Sequence, residues 1–240
     1  MSKTQIPTGG ITADAINGTL IADDAINSEH YTDGSIDTAH IGDSQVTAAK
    51  ASGVGGLIRT ANAYNTSAVS TLTMDGVFTS SHSIYRVIGY IIPATDGAGI
   101  EFQLRNASSA DFDNSSDQYR SFSAGHRITS SSDTVETFTN GDYAGTHWKV
   151  NFGGESNALD APICIDMMFY DPLQSAVNGK NAHWRVSHVG NDAKLYYHYG
   201  SGTYTTNSGA DAAGIRFTMS SGNITRHKVA VYGFIGSEAA

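Results

Sequence analysis

The apolar residues of this chain keep two different rhythms, and the change between them falls near residue 56. Over residues 11 to 50, ITADAINGTL IADDAINSEH YTDGSIDTAH IGDSQVTAAK, a large apolar residue returns every five positions, at Ile11, Ile16, Ile21, Ile26, Tyr31, Ile36, Ile41 and Val46. Five residues advance an α-helix by about 500°, so these side chains would spiral round every face and form no stripe. On a continuous strand the odd spacing would send successive apolar residues to opposite faces. Each step must therefore contain a bend, and the pairs Ala-Asp, Asp-Asp, Asp-Gly and Gly-Asp near the apolar positions supply turn chemistry.

Beyond the Gly-rich stretch ASGVGG, apolar and aromatic residues come in short runs separated by Gly, Asn, Asp and Ser: AVSTLTMDGVF, SIYRVIGYIIP, GIEFQLR, YRSFSAGHRI, THWKVNF, PICIDMMFY, HWRVSHV, KLYYHY, GIRFTMS and HKVAVYGFI. Several alternate, as in Ile100, Phe102, Leu104 and in Ile215, Phe217, Met219, and long helical periodicity is absent. About ten strands at this spacing predict an all-β chain, with an antiparallel β-sandwich or jelly roll over residues 57–240 following a repeat segment over 1–56.

Two architectures suit a period of five. One is a single-chain solenoid whose coils stack on themselves; the other is a fibrous stalk in which several chains wind together and their apolar columns meet on a shared axis. Four tens make few coils for a solenoid, and Glu29 stands where the pentapeptide type places a small residue two positions before Tyr31. The intertwined stalk is the favoured reading, with the solenoid and a disordered acidic tail as the alternatives.

Runs such as IADDAINSEH and DGSIDTAHIGDSQVTAAKASG resemble the decad repeats of bacteriophage virion fibres, whose I-A-D-D-A-I-T-x-A-K-I unit forms the N-terminal, homotrimeric, attachment-side part of the chain. The resemblance covers about residues 8 to 53, and it departs from the family at the tenth position, where Leu20, His30 and His40 precede the usual lysine at Lys50. The stretches YRVIGYIIPATD, GIEFQLRNAS and SGNITRHKVAVYGF are similar to the C-terminal sandwich domains that follow such repeats in phage fibre and decoration proteins. The resemblance implies a homotrimer, tail or capsid proteins of the virion as partners, and no catalytic residues or cofactors to carry over.

Composition narrows the function further. Of 240 residues, 15% are charged and the net charge is −9, which argues against a protein that holds nucleic acid through its phosphates. MSKTQIPTGG carries no secretory signal and no apolar run reaches the length of a membrane span, so synthesis in the host cytoplasm and residence in the virion, without membrane insertion, are expected. The single cysteine, Cys164, allows no intrachain disulfide, and its apolar surroundings predict a buried thiol.

Candidate chemistry is sparse. DFDNSSD places Asp111, Asp113, Ser115 and Asp117 at alternate positions, but Ser116 and Phe122 stand where a calcium loop needs glycine and a bidentate glutamate, so no metal site is expected. His183 and His188 are five apart and point to opposite faces of a strand. Asp166 and Glu101 lie in apolar runs as a conceivable glycosidase pair, with outward or interface positions the better reading. The segment KLYYHYGSGTYTTNSG offers a recognition surface: Tyr197, Tyr199 and Tyr204 are the candidate ligand-binding residues, with Tyr197 and Tyr199 on one strand face and Tyr196 and His198 on the other. A host-surface glycan is the ligand such a mix suits, against a role for these tyrosines in the core or a trimer interface. Trp148 and Trp184 carry the same two readings.

Overall fold

The computed structural model describes residues 9–12, 15, 21, 31–36, 38–42, 45–46, 56–106, 112, 118–128, 135–151, 155–174, 180–205 and 212–234. The chain divides into two compact units, Met1–Ala51 and Ser52–Ala240. Ile16, Ile26 and Asp111, Asp113, Ser115 and Asp117 lie outside the described residues.

In the first unit, three of the five-residue steps close a turn. The amide of Ala15 donates to the carbonyl of Thr12, that of Ser35 to Thr32 and that of Gln45 to Gly42, each spanning the residues between two apolar positions. Gly34 takes a left-handed φ of 77° within one of these turns, a conformation that glycine adopts without a Cβ penalty. The only other regular element described there is a short 3-10 turn at Thr38–His40. Ile11, Tyr31, Ile36, Ile41 and Val46 are exposed, while Ile21 is half-buried.

The second unit is all-β. Its described strands are β1 (Leu57–Asn65), β2 (Leu72–Met74), β3 (Ile84–Pro93), β4 (Ile100–Asn106), β5 (Tyr119–Ile128), β6 (Val135–Gly145), β7 (Trp148–Lys149), β8 (Ile163–Tyr170), β9 (Lys180–Val189), β10 (Leu195–Tyr204), β11 (Ala212–Met219) and β12 (Ile224–Phe234). They form an eight-stranded sheet in the order β1-β12-β3-β8-β9-β10-β5-β6 and a four-stranded sheet in the order β2-β11-β4-β7, with every pairing antiparallel. No α-helix occurs among the described residues, and no helix there is long and apolar enough to cross a membrane.

The two sheets pack face to face in a sandwich-like arrangement because each strand turns alternate residues inward. Phe102 and Phe217 from the small sheet meet Phe169 from the large one, with the Phe102 and Phe169 ring centroids 5.4 Å apart. Trp148 stacks on Phe102 and lies against Tyr119 and Trp184. Full burial of each such ring contributes about 1.5–3 kcal/mol, so this aromatic layer is a principal stabilising feature of the domain.

Two strands run where the sequence predicts none, and they are the two edges of the large sheet. β1 and β6 carry LIRTANAYN and VETFTNGDYAG, which are polar because an edge strand has one neighbour and little to bury. β10 also extends through Gly-Ser-Gly, a turn-like signal, for a packing reason. A Cβ on Gly202 would stand 2.6 Å from Nε1 of Trp148, and one on Gly200 would stand 2.7 Å from Cε2 of Trp184, so only glycine lets the indoles lie beneath this strand.

Candidate functional site

The strands β8, β9, β10, β5 and β6 present their outward residues side by side. Register places Arg185, Tyr199, Ala124 and Thr139 in one cross-strand row; Ser187, Tyr197, His126 and Thr137 lie on one side of it, and His183, Ser201, Phe122 and Gly141 on the other. Tyr197 and Tyr199 are each 40% exposed and Phe122 is 52% exposed, with the two tyrosine rings 6.3 Å apart and His126 a further 6.0 Å from Tyr199. These rings bring rigid apolar area to solvent without filling the core. Tyr204 does not join them: even-numbered positions of β10 face inward, and its ring is fully buried 4.9 Å from that of Tyr119.

Three depressions join along this face. The largest, about 500 Å³, lies over Arg120, Phe122, Asp142, Asn181, Ser201 and Thr203. It shares Phe122 and Ser201 with one of about 370 Å³ beneath Tyr199, which in turn shares His183 and Arg185 with a third of about 190 Å³ beside Arg86, Asp166 and Met168. Together they make a shallow trough that crosses the strands. Polar rims accompany the rings: the Thr203 hydroxyl donates to Oδ1 of Asn181 at 2.7 Å, and the Tyr170 hydroxyl lies 3.3 Å from Nδ1 of His183.

The charges of the trough are unevenly committed. Arg86 donates through Nε and Nη2 to both oxygens of Asp166 at 2.8 Å, a bidentate pair that fixes both side chains and raises the Arg86 pKa, chiefly through that hydrogen bond. Asp142 faces the ammonium of Lys149 at 3.4 Å. Arg185 sits directly across from Asp166 in the ladder, yet its guanidinium is held by no carboxylate among the described residues.

Several candidate residues separate in space. Asp166 lies on the outer face of the large sheet, whereas Glu101 lies on the outer face of the small one, where it meets His147 at 3.3 Å; the core stands between the two carboxylates. His183 is outward and His188 inward, so they share no ligand site. The described residues hold no group of three or more His, Cys, Asp or Glu side chains able to hold a metal. Trp148 and Trp184 are both core residues. Cys164 departs from expectation: its thiol is exposed, because β8 sends Ile163, Ile165, Met167 and Phe169 inward and Cys164, Asp166, Met168 and Tyr170 outward. An apolar run on a strand with one open face is only half buried.

Sequence reasoning missed a second buried cluster on the inward side of the same strands. His188 and His198 stack 5.3 Å apart, Tyr196 stacks on His188 at 4.9 Å, and Phe138 closes on His198 at 5.1 Å. The Tyr196 hydroxyl donates to Asp192 at 3.0 Å and receives a hydrogen bond from Arg127. The histidines are ten residues apart, and only the β9–β10 register brings them together; the spacing within HWRVSHV gave no sign of it.

Compared with family models, with curated proteins and with solved structures, the chain matches none.

Proposed function

We propose that this chain is a non-enzymatic structural component of a bacteriophage virion: a trimeric fibre that anchors to the particle through its N-terminal repeat and displays a jelly-roll-like β-domain for attachment to host-surface glycan. The observation that carries this reading is the exposed apolar repeat of the first unit. Ile11, Tyr31, Ile36, Ile41 and Val46 are 41–56% exposed in the single chain although turns separate them at regular intervals. A repeated, exposed set of apolar residues is satisfied when three copies meet about a common axis, since closed cyclic symmetry lets each chain's set cover the other two. Sedimentation velocity of the full chain tests it: an extended trimer is expected, and a compact monomer overturns the fibre.

A second reading, a capsid decoration or head fibre protein that binds no receptor, draws on a different feature. Val189, Leu195, Ile128 and Val135 form an exposed apolar row across four strands of the large sheet. Such a row suits docking onto another virion protein as well as display. Labelling the chain in intact particles separates tail from head. A polysaccharide-degrading spike has less support, since its acid and base must face one another across a glycosidic bond and Asp166 and Glu101 face away from each other.

A further inference from the structure

We infer that the trough on the outer face of the large sheet binds a carboxylate-bearing saccharide, with the sugar rings on Tyr199 and Phe122 and the carboxylate on the guanidinium of Arg185. This rests on the glycan-attachment reading and names the class of glycan. Three observations lead to it.

First, shape. The trough crosses β8, β9, β10 and β5, is open to solvent, and its two larger segments, about 500 and 370 Å³, have room for linked sugar rings. Second, lining. Exposed aromatic faces at Tyr199 and Phe122 alternate with Asn181, Ser201 and Thr203, so apolar C–H faces of a pyranose and its hydroxyls both find partners.

Third, charge. Arg86 and Arg185 both line the segment beside Asp166, so two guanidinium groups there meet one carboxylate, on a chain whose net charge is −9. Both oxygens of Asp166 are engaged by Arg86 at 2.8 Å, and Arg185 has no carboxylate partner among the described residues. Arg185 lines both the Tyr199 segment and the segment beside Asp166, directly across from Tyr199 and one outward row from Phe122. A guanidinium recognises a carboxylate through two parallel hydrogen bonds, which a neutral hydroxyl cannot match.

The test uses the purified full chain on an immobilised panel of uronate and sialate oligosaccharides, each paired with its carboxyl-reduced counterpart, at physiological salt. Retention of acidic members at least tenfold above their reduced partners is expected. Arg185→Gln should remove that preference and leave weak retention of neutral members unchanged, while Arg185→Lys should restore part of it. Tyr199→Ala should weaken acidic and neutral members alike. Equal retention of acidic and reduced partners, or an unchanged preference in Arg185→Gln, overturns the acidic class and leaves glycan attachment standing. Retention of no saccharide, or of virion protein in place of saccharide, overturns both.

Discussion

His188 and His198 face each other from adjacent strands with their Nε2 atoms 3.2 Å apart, buried between Tyr196 and Phe138. At that distance one ring donates its N–H and the other accepts, which requires the accepting ring to be neutral, and burial disfavours charge on either. Burial pushes His188 down to about 4 and His198 to about 3, and in the second case repulsion from His188 adds to the effect.

Acid should therefore loosen this half of the domain. The unfolded histidines titrate near 6.5 and the folded ones near 4 and 3, so below 6.5 the unfolded chain holds more protons. The stability contributed by the neutral pair is complete above about pH 6.5 and declines as pH falls towards the folded values, at about 1.4 kcal/mol per pH unit for each histidine. Thermal denaturation between pH 6.5 and 5, above the range of ordinary carboxylates, should show a falling Tm. A His188→Gln/His198→Gln double variant should give a flatter profile, and equal slopes would refute the assignment.

The tyrosines of β10 should divide sharply. Tyr197→Ala and Tyr199→Ala remove rings that are 40% exposed, so saccharide retention should weaken about tenfold for each while Tm stays within a degree or two. Tyr204→Ala removes a fully buried ring packed on Tyr119, and should cost about 3–5 kcal/mol of stability. Paired measurement of Tm and binding on the three variants distinguishes recognition from packing; a large Tm loss in Tyr199→Ala would place that ring in the structure's support instead.

Alternation within runs made the interior of the fold legible. YRSFSAGHRI coincides with β5, and the face shared by Tyr197 and Tyr199 follows from a period of two. The edges were not legible, since β1 and β6 bury too little to leave an apolar pattern. Nor was the trough, because Phe122, His183, Arg185 and Tyr199 come from three strands and only their register assembles them. The exposure of Cys164 was missed for a related reason: apolar neighbours in sequence say nothing about which face of the sheet is covered.

Gly202 carries a prediction that sequence alone would reverse, since replacing a strand glycine by alanine ordinarily helps. Here the added methyl would meet the Trp148 indole at 2.6 Å, and that indole is wedged between Phe102 and Tyr119 while donating its N–H to the carbonyl of Thr203. Gly202→Ala should destabilise by about 1–3 kcal/mol through overpacking. Tryptophan fluorescence during chemical denaturation would register both the lower midpoint and the displaced indole, whereas a gain in stability would show that Trp148 has room to move.

The exposed apolar repeat of the first unit gives the sharpest test of assembly. Ile36 and Ile41 are exposed in the single chain, so an aspartate at either place should be harmless to a monomer. On a shared three-fold axis the same change would bring three carboxylates together away from water, at several kcal/mol per ion. Ile36→Asp and Ile41→Asp are therefore expected to abolish trimers in sedimentation equilibrium while the β-sheet circular dichroism and Tm of the second unit stay unchanged. The loss should be partly reversed at low pH, where the carboxylates take up protons, but only above the window in which the His188–His198 pair charges. Trimers that persist in both variants would mean that the repeat faces solvent in the assembled protein, and the subunit contact would then have to lie on another surface, with the exposed row of Val189, Leu195, Ile128 and Val135 the next to substitute.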